Sequence, residues 1–127
     1  MIPPTDGAPT ALASTDRAAL DRLERFGGRK LLHEMIALFL AIAPERLAAA
    51  GAGVGVGDAS AVENALHSLK SSSAQLGALR LSRLCEQGES IARGGTVEGA
   101  AALLDESRSE LRRVEAWLAS VRAEGQA

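Results

Sequence analysis

The chain has 127 residues, enough for one domain whose hydrophobic core needs no disulfide staples. The formal net charge is −2, which argues against a nucleic-acid partner because proteins that bind phosphate backbones carry a basic excess. The single cysteine, Cys85, excludes an intramolecular disulfide and disfavours a cysteine-based zinc site. Hydrophobic residues make up 46% of the chain and aromatic residues only 2%. The apolar content is mostly Ala, Leu and Val beside many Arg and Glu, a composition that predicts an all-α domain.

The beginning of the chain differs in composition from the rest. Residues 1–13 are rich in Pro, Thr, Gly and Ala, which predicts a disordered tail ahead of a folded domain at 14–123. The tail lacks the basic and apolar regions of a signal peptide, and no run approaches the ~18 apolar residues of a membrane span. Together with the lone cysteine, these features predict a soluble cytoplasmic protein that does not bind membranes.

Two helices are predicted in the first half of the chain. Ser14 or Thr15 can cap a short first helix, which Gly27-Gly28 ends. The second runs from about residue 29 to 50, because apolar side chains recur there at spacings of three and four. The stretch 51–57 contains four glycines in seven residues and is predicted to be a loop.

Three further helices are predicted in the second half. Asp58 is a suitable cap for the third, which reaches about Leu76, and the fourth runs from about Ala78 to Arg93. Thr96 is predicted to cap the fifth, which continues to about Ala123. Short connections and near-heptad apolar spacing indicate an antiparallel four-helix bundle with a short additional N-terminal helix.

The third predicted helix carries the chemical signal. At about 100° per residue, its apolar side chains fall opposite His67, whereas Glu63, Lys70, Ser71 and Ala74 share the histidine's face. We therefore expect His67 to face water. A neutral imidazole keeps a lone pair for attack on phosphorus, and Lys70 can offset charge on a transferring phosphoryl group. The small side chains leave room for a phosphorylated partner to approach.

A longer set of residues around His67 resembles a known family. The pattern resembles the signature of the histidine phosphotransfer (HPt) domains of multi-step phosphorelays, over about residues 15 to 122. The residues that carry it are His67, Leu69, Lys70, Ser73, Gly77 and Ala78, followed by Leu81, Leu84, Cys85 and Glu89, with Leu38-Phe39-Leu40 and Ala43-Pro44-Glu45 upstream.

The resemblance implies specific roles. His67 would be the phosphorylated residue, Lys70 its electrostatic helper and Gln75 a source of a hydrogen bond. The partners would be receiver domains of hybrid histidine kinases and response regulators, which supply the aspartate and the Mg²⁺ ion, so the chain itself would need no cofactor or metal. A monomer suits a carrier that meets two partners in turn. The sequence departs from the family at Ser71, usually Gly, and at Gly88, where a larger apolar residue is common.

Other functions are weighed against this one. No Gly-x-x-x-x-Gly-Lys-Ser/Thr loop exists and no length remains for a kinase domain, so we expect a phosphotransfer intermediate rather than an enzyme with autokinase activity. The alternative is a catalytically silent module that only docks receiver domains, if Ser71 disables transfer. A metal-carboxylate bundle needs Glu-x-x-His pairs, but neither His33 nor His67 follows a Glu three residues earlier.

Overall fold

The computed structural model describes residues 14–124, which form four helices and no strand within that range. The predicted tail 1–13 lies outside the described residues. The helices are α1 (Arg17–Val56), α2 (Ala59–Gln75), α3 (Leu79–Arg93) and α4 (Ala100–Glu124). α1 leaves helical geometry at Gly28, where φ is 83°. A short segment, 17–27, therefore precedes the long segment 29–56, consistent with the predicted additional N-terminal helix.

The four helices form a closed ring in which each contacts two neighbours. Among the described residues, α1 packs on α2 and α4, and α3 packs on the same two helices. Short connections make sequential neighbours antiparallel, as predicted for a four-helix bundle. An ion pair of 2.9 Å between Arg17 and Glu124 joins the start of α1 to the end of α4. The fully buried side chains at the centre are mostly aliphatic and include Leu20, Leu32, Ile36, Leu66, Leu69, Leu81, Val114 and Leu118.

The prediction of a loop at 51–57 was wrong. α1 continues to Val56, and Gly57, with φ of 72°, ends it by donating its N–H to carbonyls of the last turn. Ala50 and Gly53 are buried, and a Cβ at Gly53 would lie 2.9 Å from a methyl group of Val62 on α2. Close packing against α2 therefore compensates for the low helix propensity of the glycines.

Two predicted helix starts also differ from the structure. The side chain of Asp16, rather than Ser14 or Thr15, caps α1 by accepting a hydrogen bond from the N–H of Ala18 at 3.1 Å. Thr96 caps a turn instead of the last helix: its hydroxyl accepts from the N–H of Glu98 at 3.1 Å. α4 begins only at Ala100, because the chain first passes through Gly99 with φ of 86°.

The corner between α2 and α3 holds the start of the described chain. Gly77 has φ of 79°, and its carbonyl accepts a hydrogen bond of 2.8 Å from the N–H of Asp16. The hydroxyl of Ser14 donates to the buried carboxylate of Glu110 on α4. The segment before α1 is thus fastened to the end of α2.

The structure explains the departure at Gly88. This residue is buried on α3, and a Cβ there would lie 2.5 Å from a methyl group of Leu66 on α2. Leu66 is itself 1% exposed. The absence of a side chain at Gly88 therefore lets α3 approach α2 closely, immediately beside Glu89.

One helix qualifies by length and average composition as a membrane span, contrary to the expectation from apolar runs. α1 contains an 18-residue window with a mean hydropathy of 1.5. However, Leu32, Ile36, Phe39 and Leu47 of α1 are buried in the core of the bundle. Core helices of soluble proteins pass the same test of composition, and the core of the bundle accounts for these buried residues of α1, whereas Phe26, Leu38 and Val56 of the same helix are exposed.

The glycines at 77 and 55 should respond in opposite ways to alanine. Gly77→Ala places a Cβ 2.3 Å from the carbonyl oxygen of Asp16 at a positive φ, so it should lower the free energy of unfolding by at least about 1–2 kcal/mol. Gly55→Ala, within α1 and with open space around its Cβ, should raise it by about 0.5–1 kcal/mol. Chemical denaturation measures both; equal effects would contradict this account of the corner.

Candidate functional site

α2 presents His67 on the outside of the bundle. The opposite side of this helix carries Val62, Leu66 and Leu69, each buried in the core, and Asp58 caps its first turn by accepting from the N–H of Ala61 at 3.1 Å. The helix is therefore held at its start and along its inner face. The His67 side chain is 63% exposed, as the spacing of the apolar residues predicts.

The other predicted residues of this face lie around His67 in different environments. Ser71 and Ala74 are exposed, and Glu63 and Lys70 are half-buried. Ser71 and Ala74 place small side chains on the exposed face of α2, and the room they leave for a partner stays a prediction. Glu63 and Lys70 instead turn toward α3, and their contacts there were not foreseen from the sequence.

Glu89 of α3 lies beneath the histidine and is the principal group whose role the sequence analysis missed. Its side chain is 2% exposed. Its Oε2 lies 2.7 Å from Nδ1 of His67, and its Oε1 lies 2.7 Å from Nζ of Lys70. Glu89 belongs to the pattern that resembles the HPt family, but spacing along one helix could not place it beside a residue 22 positions earlier on another.

Arg93 completes this arrangement one turn further along α3. One of its terminal nitrogens lies 2.8 Å from Oε2 of Glu89, and its Nε lies 3.4 Å from Oε2 of Glu63. A single buried carboxylate is therefore contacted by an imidazole, an ammonium and a guanidinium. We call these four residues, His67, Lys70, Glu89 and Arg93, the Glu89 cluster.

The contacts keep Glu89 ionised. Burial by itself would raise the pKa of this carboxyl group, but the hydrogen bonds from Lys70 and His67 and their positive charge outweigh burial and lower its pKa from 4.5. An ionised carboxylate can be buried when cations and hydrogen-bond donors surround it, as they do here.

The ionised carboxylate determines which nitrogen of His67 carries the proton. A carboxylate only accepts hydrogen bonds, so Nδ1 must carry the proton and donate to Glu89. In the neutral ring the lone pair is then on Nε2, the nitrogen that Glu89 does not contact. The site thus offers one oriented nucleophilic nitrogen on an exposed ring.

Gln75 lies apart from the Glu89 cluster. It is exposed near the end of α2, eight residues after His67 and so about 12 Å further along the helix axis. It lines an apolar groove between α1 and α2 together with Met35, Leu38, Phe39, Ile42, Ala43, Leu69, Ser72 and Leu76. Its hydrogen-bonding role stays a prediction.

Neither Cys85 nor a metal site adds a second reactive group among the described residues. Cys85 is buried, and burial, together with the charge of Glu89, raises the pKa of its thiol to about 12. Cys85 is therefore a small core residue rather than a nucleophile. Within residues 14–124, no three His, Cys, Asp or Glu side chains converge as metal ligands.

Comparisons with known proteins agree with the fold of a helical bundle. The family model "Hpt domain" matches residues 34–123, so the chain belongs to the Hpt domain family. No curated protein sequence matches significantly.

Three solved structures share the fold. A histidine-containing phosphotransfer protein from Pseudomonas aeruginosa has 26% identity and a TM-score of 0.84, over 90% of this chain and 98% of its own. The HPT domain of a sensor hybrid histidine kinase from Shewanella has 23% identity and a TM-score of 0.73, over 87% and 95%. A histidine-containing phosphotransfer protein from maize has 20% identity and a TM-score of 0.76, over 91% of each chain.

Acid should weaken the fold through Glu89. Because its pKa is lower in the folded chain than the ordinary 4.5, the ionised group stabilises the fold above about pH 4.5, and this contribution is lost as the pH falls through the folded-state value. Glu89→Gln should therefore lower the free energy of unfolding most near neutral pH, and the deficit should shrink in acid.

Denaturant titrations from about pH 7 to about pH 3 test this. The matched control is Glu86→Gln, which removes an exposed carboxylate of α3 that pairs only with Arg83 among the described residues. Its effect should be small at every pH. If the loss of unfolding free energy in Glu89→Gln stays constant with pH, the contribution of Glu89 to stability does not depend on its charge.

Proposed function

We propose that this Hpt domain protein carries a phosphoryl group on Nε2 of His67 between the aspartates of receiver domains. The observation that supports this most directly is the contact of 2.7 Å between Nδ1 of the exposed His67 and the buried carboxylate of Glu89. That contact fixes the ring and leaves Nε2 as the nucleophile. Membership of the family supports a phosphotransfer module in phosphorelays.

The chemistry follows from the geometry. The Nε2 lone pair attacks phosphorus of the partner's aspartyl phosphate, the N–P bond forms, and the P–O bond to the aspartate breaks. The aspartate leaves with that electron pair as a carboxylate. The proton on Nδ1 stays hydrogen-bonded to Glu89, which stabilises positive charge developing on the ring. Lys70 offsets negative charge on the phosphoryl oxygens, and transfer to the next receiver is the reverse reaction.

The partners in this proposal are receiver domains of hybrid histidine kinases and of response regulators. They supply the aspartate and Mg²⁺, whereas this chain supplies the imidazole and needs no cofactor. The groove between α1 and α2 follows the part of α2 that comes after His67, from Leu69 to Leu76, and includes Leu38, which is 57% exposed. An exposed apolar surface on the helix that carries the reactive group suits transient protein docking. A cytoplasmic monomer without ATP-binding or autokinase activity fits such a carrier.

A labelled phosphoryl group should appear on His67. When the protein is incubated with a phosphorylated receiver domain, acid-labile and alkali-stable label should accumulate on the wild type and be absent from His67→Gln, because the amide has no nucleophilic nitrogen. His33→Gln is the matched control, since His33 is the other histidine of the chain. It should take up label like the wild type.

A Ser71→Gly variant distinguishes the carrier from a catalytically silent docking module. Receiver binding without label on the wild type, together with label on Ser71→Gly, would favour the silent module. Label on His67→Gln would exclude His67 as the acceptor.

Replacing Glu89 should slow phosphoryl transfer, because it favours the tautomer of His67 in which Nε2 is protonated. In Glu89→Gln, the amide offers one acceptor oxygen where the carboxylate offered two. With that oxygen at the position of Oε1, paired with Lys70, the amide NH₂ takes the position of Oε2 and faces Nδ1 of His67, so the ring proton moves to Nε2. The initial rate of label uptake should fall roughly 10- to 100-fold. Nitrogen chemical shifts of the His67 ring report the tautomer, and Glu86→Gln should change neither quantity. A slow Glu89→Gln that keeps its proton on Nδ1 would contradict the mechanism.

A further inference from the structure

Arg93 is the one cation of the Glu89 cluster to which the proposed reaction assigns no part. It lies in the last turn of α3 with its side chain 60% exposed, yet its guanidinium bridges two helices. One terminal nitrogen contacts Oε2 of Glu89 at 2.8 Å, and Nε contacts Glu63 of α2 at 3.4 Å. Such a forked arrangement fixes a guanidinium in one position.

The ammonium group of Lys70 has two possible partners, the carboxylate of Glu89 and the phosphoryl group on His67. In the free protein its Nζ lies 2.7 Å from Oε1 of Glu89. When the ammonium turns toward a phosphoryl group at Nε2 of His67, its contact with Glu89 lengthens. That movement leaves a carboxylate that is 2% exposed with one cation fewer, and an uncompensated buried charge is costly.

Arg93 is placed to compensate for that loss. It contacts the other oxygen of Glu89, so Lys70 can leave without displacing it. A guanidinium stays charged at any physiological pH. In its absence, Glu89 would hold Lys70 more tightly and the ammonium would be less available to the phosphoryl group.

We propose that Arg93 is a positioning residue for phosphoryl transfer, which holds Glu89 neutralised so that Lys70 can move to the phosphoryl oxygens. This rests on the proposed function of His67 as the phosphoryl acceptor. Glu63 orients Arg93 from α2. Arg93 itself touches neither the phosphoryl group nor the receiver.

The test is the single-turnover rate of phosphoryl uptake from a phosphorylated receiver domain, measured over a range of receiver concentrations. Arg93→Gln should lower the rate at saturation about 3- to 10-fold, as expected for loss of one charge-assisted contact. The half-saturating concentration should not change. Arg93→Lys should restore most of the rate, and in a Lys70→Gln background Arg93→Gln should have no further effect.

Two further variants complete the experiment. Arg83→Gln removes the same charge from an exposed arginine of α3 that pairs only with Glu86 among the described residues, and it should behave like the wild type. Glu63→Gln loosens Arg93 without touching Glu89 and should slow transfer about twofold, a fraction of the Arg93→Gln effect. It therefore carries the test even if Arg93→Gln folds poorly.

Several outcomes would overturn the proposal. Arg93→Gln could match Arg83→Gln, slow transfer equally when Lys70 is absent, or change only the half-saturating concentration, which would indicate direct receiver contact. These results leave the carrier function intact because the wild type is labelled in each. A wild type that takes no label while His67 is accessible would refute the proposed function and this inference with it.

Discussion

The structure of the site depends on one buried negative charge, the carboxylate of Glu89. Removing a carboxylate from water is costly unless cations and donors replace its hydration, and here an imidazole, an ammonium and a guanidinium do so. This requirement explains why three groups from two helices converge on one point of the surface. It also explains why the exposed ring of His67 has a single orientation, since its Nδ1 is part of that compensation.

The bundle makes this burial possible through close contact between α2 and α3. Gly88 has no side chain where a Cβ would meet Leu66, and the hydroxyl of Ser82 on α3 donates to the carbonyl of Lys70 on α2 at 3.0 Å. Both contacts join the two helices next to the Glu89 cluster, at Leu66 and Lys70 of α2. The base of the site is therefore packed between two helices, whereas the imidazole itself is exposed to solvent.

The same fold leaves the α1 side of His67 chemically different from the α3 side. Toward α3 lie the charged groups of the Glu89 cluster, and toward α1 lies the apolar groove that includes Leu38 and Phe39. A receiver domain that presents its phosphorylated aspartate to Nε2 would meet small side chains at Ser71 and Ala74 between these two regions. In the function proposed above, charge control and partner contact would therefore lie on separate surfaces of the bundle.

Local sequence rules determined the helical class, the bundle, the exposure of His67 and the proximity of Lys70, because each depends on helical periodicity within about two turns. Gly27-Gly28 likewise marked the break in α1, where a positive φ is needed. The same rules failed at 51–57, since burial of Gly53 against α2 overrides low propensity. Only the tertiary structure placed Glu89 and Arg93 next to the histidine. It also showed that Gly88 lacks a side chain where α3 packs against Leu66. These contacts join residues on different helices, and the periodicity of one helix does not predict distances between residues on two helices.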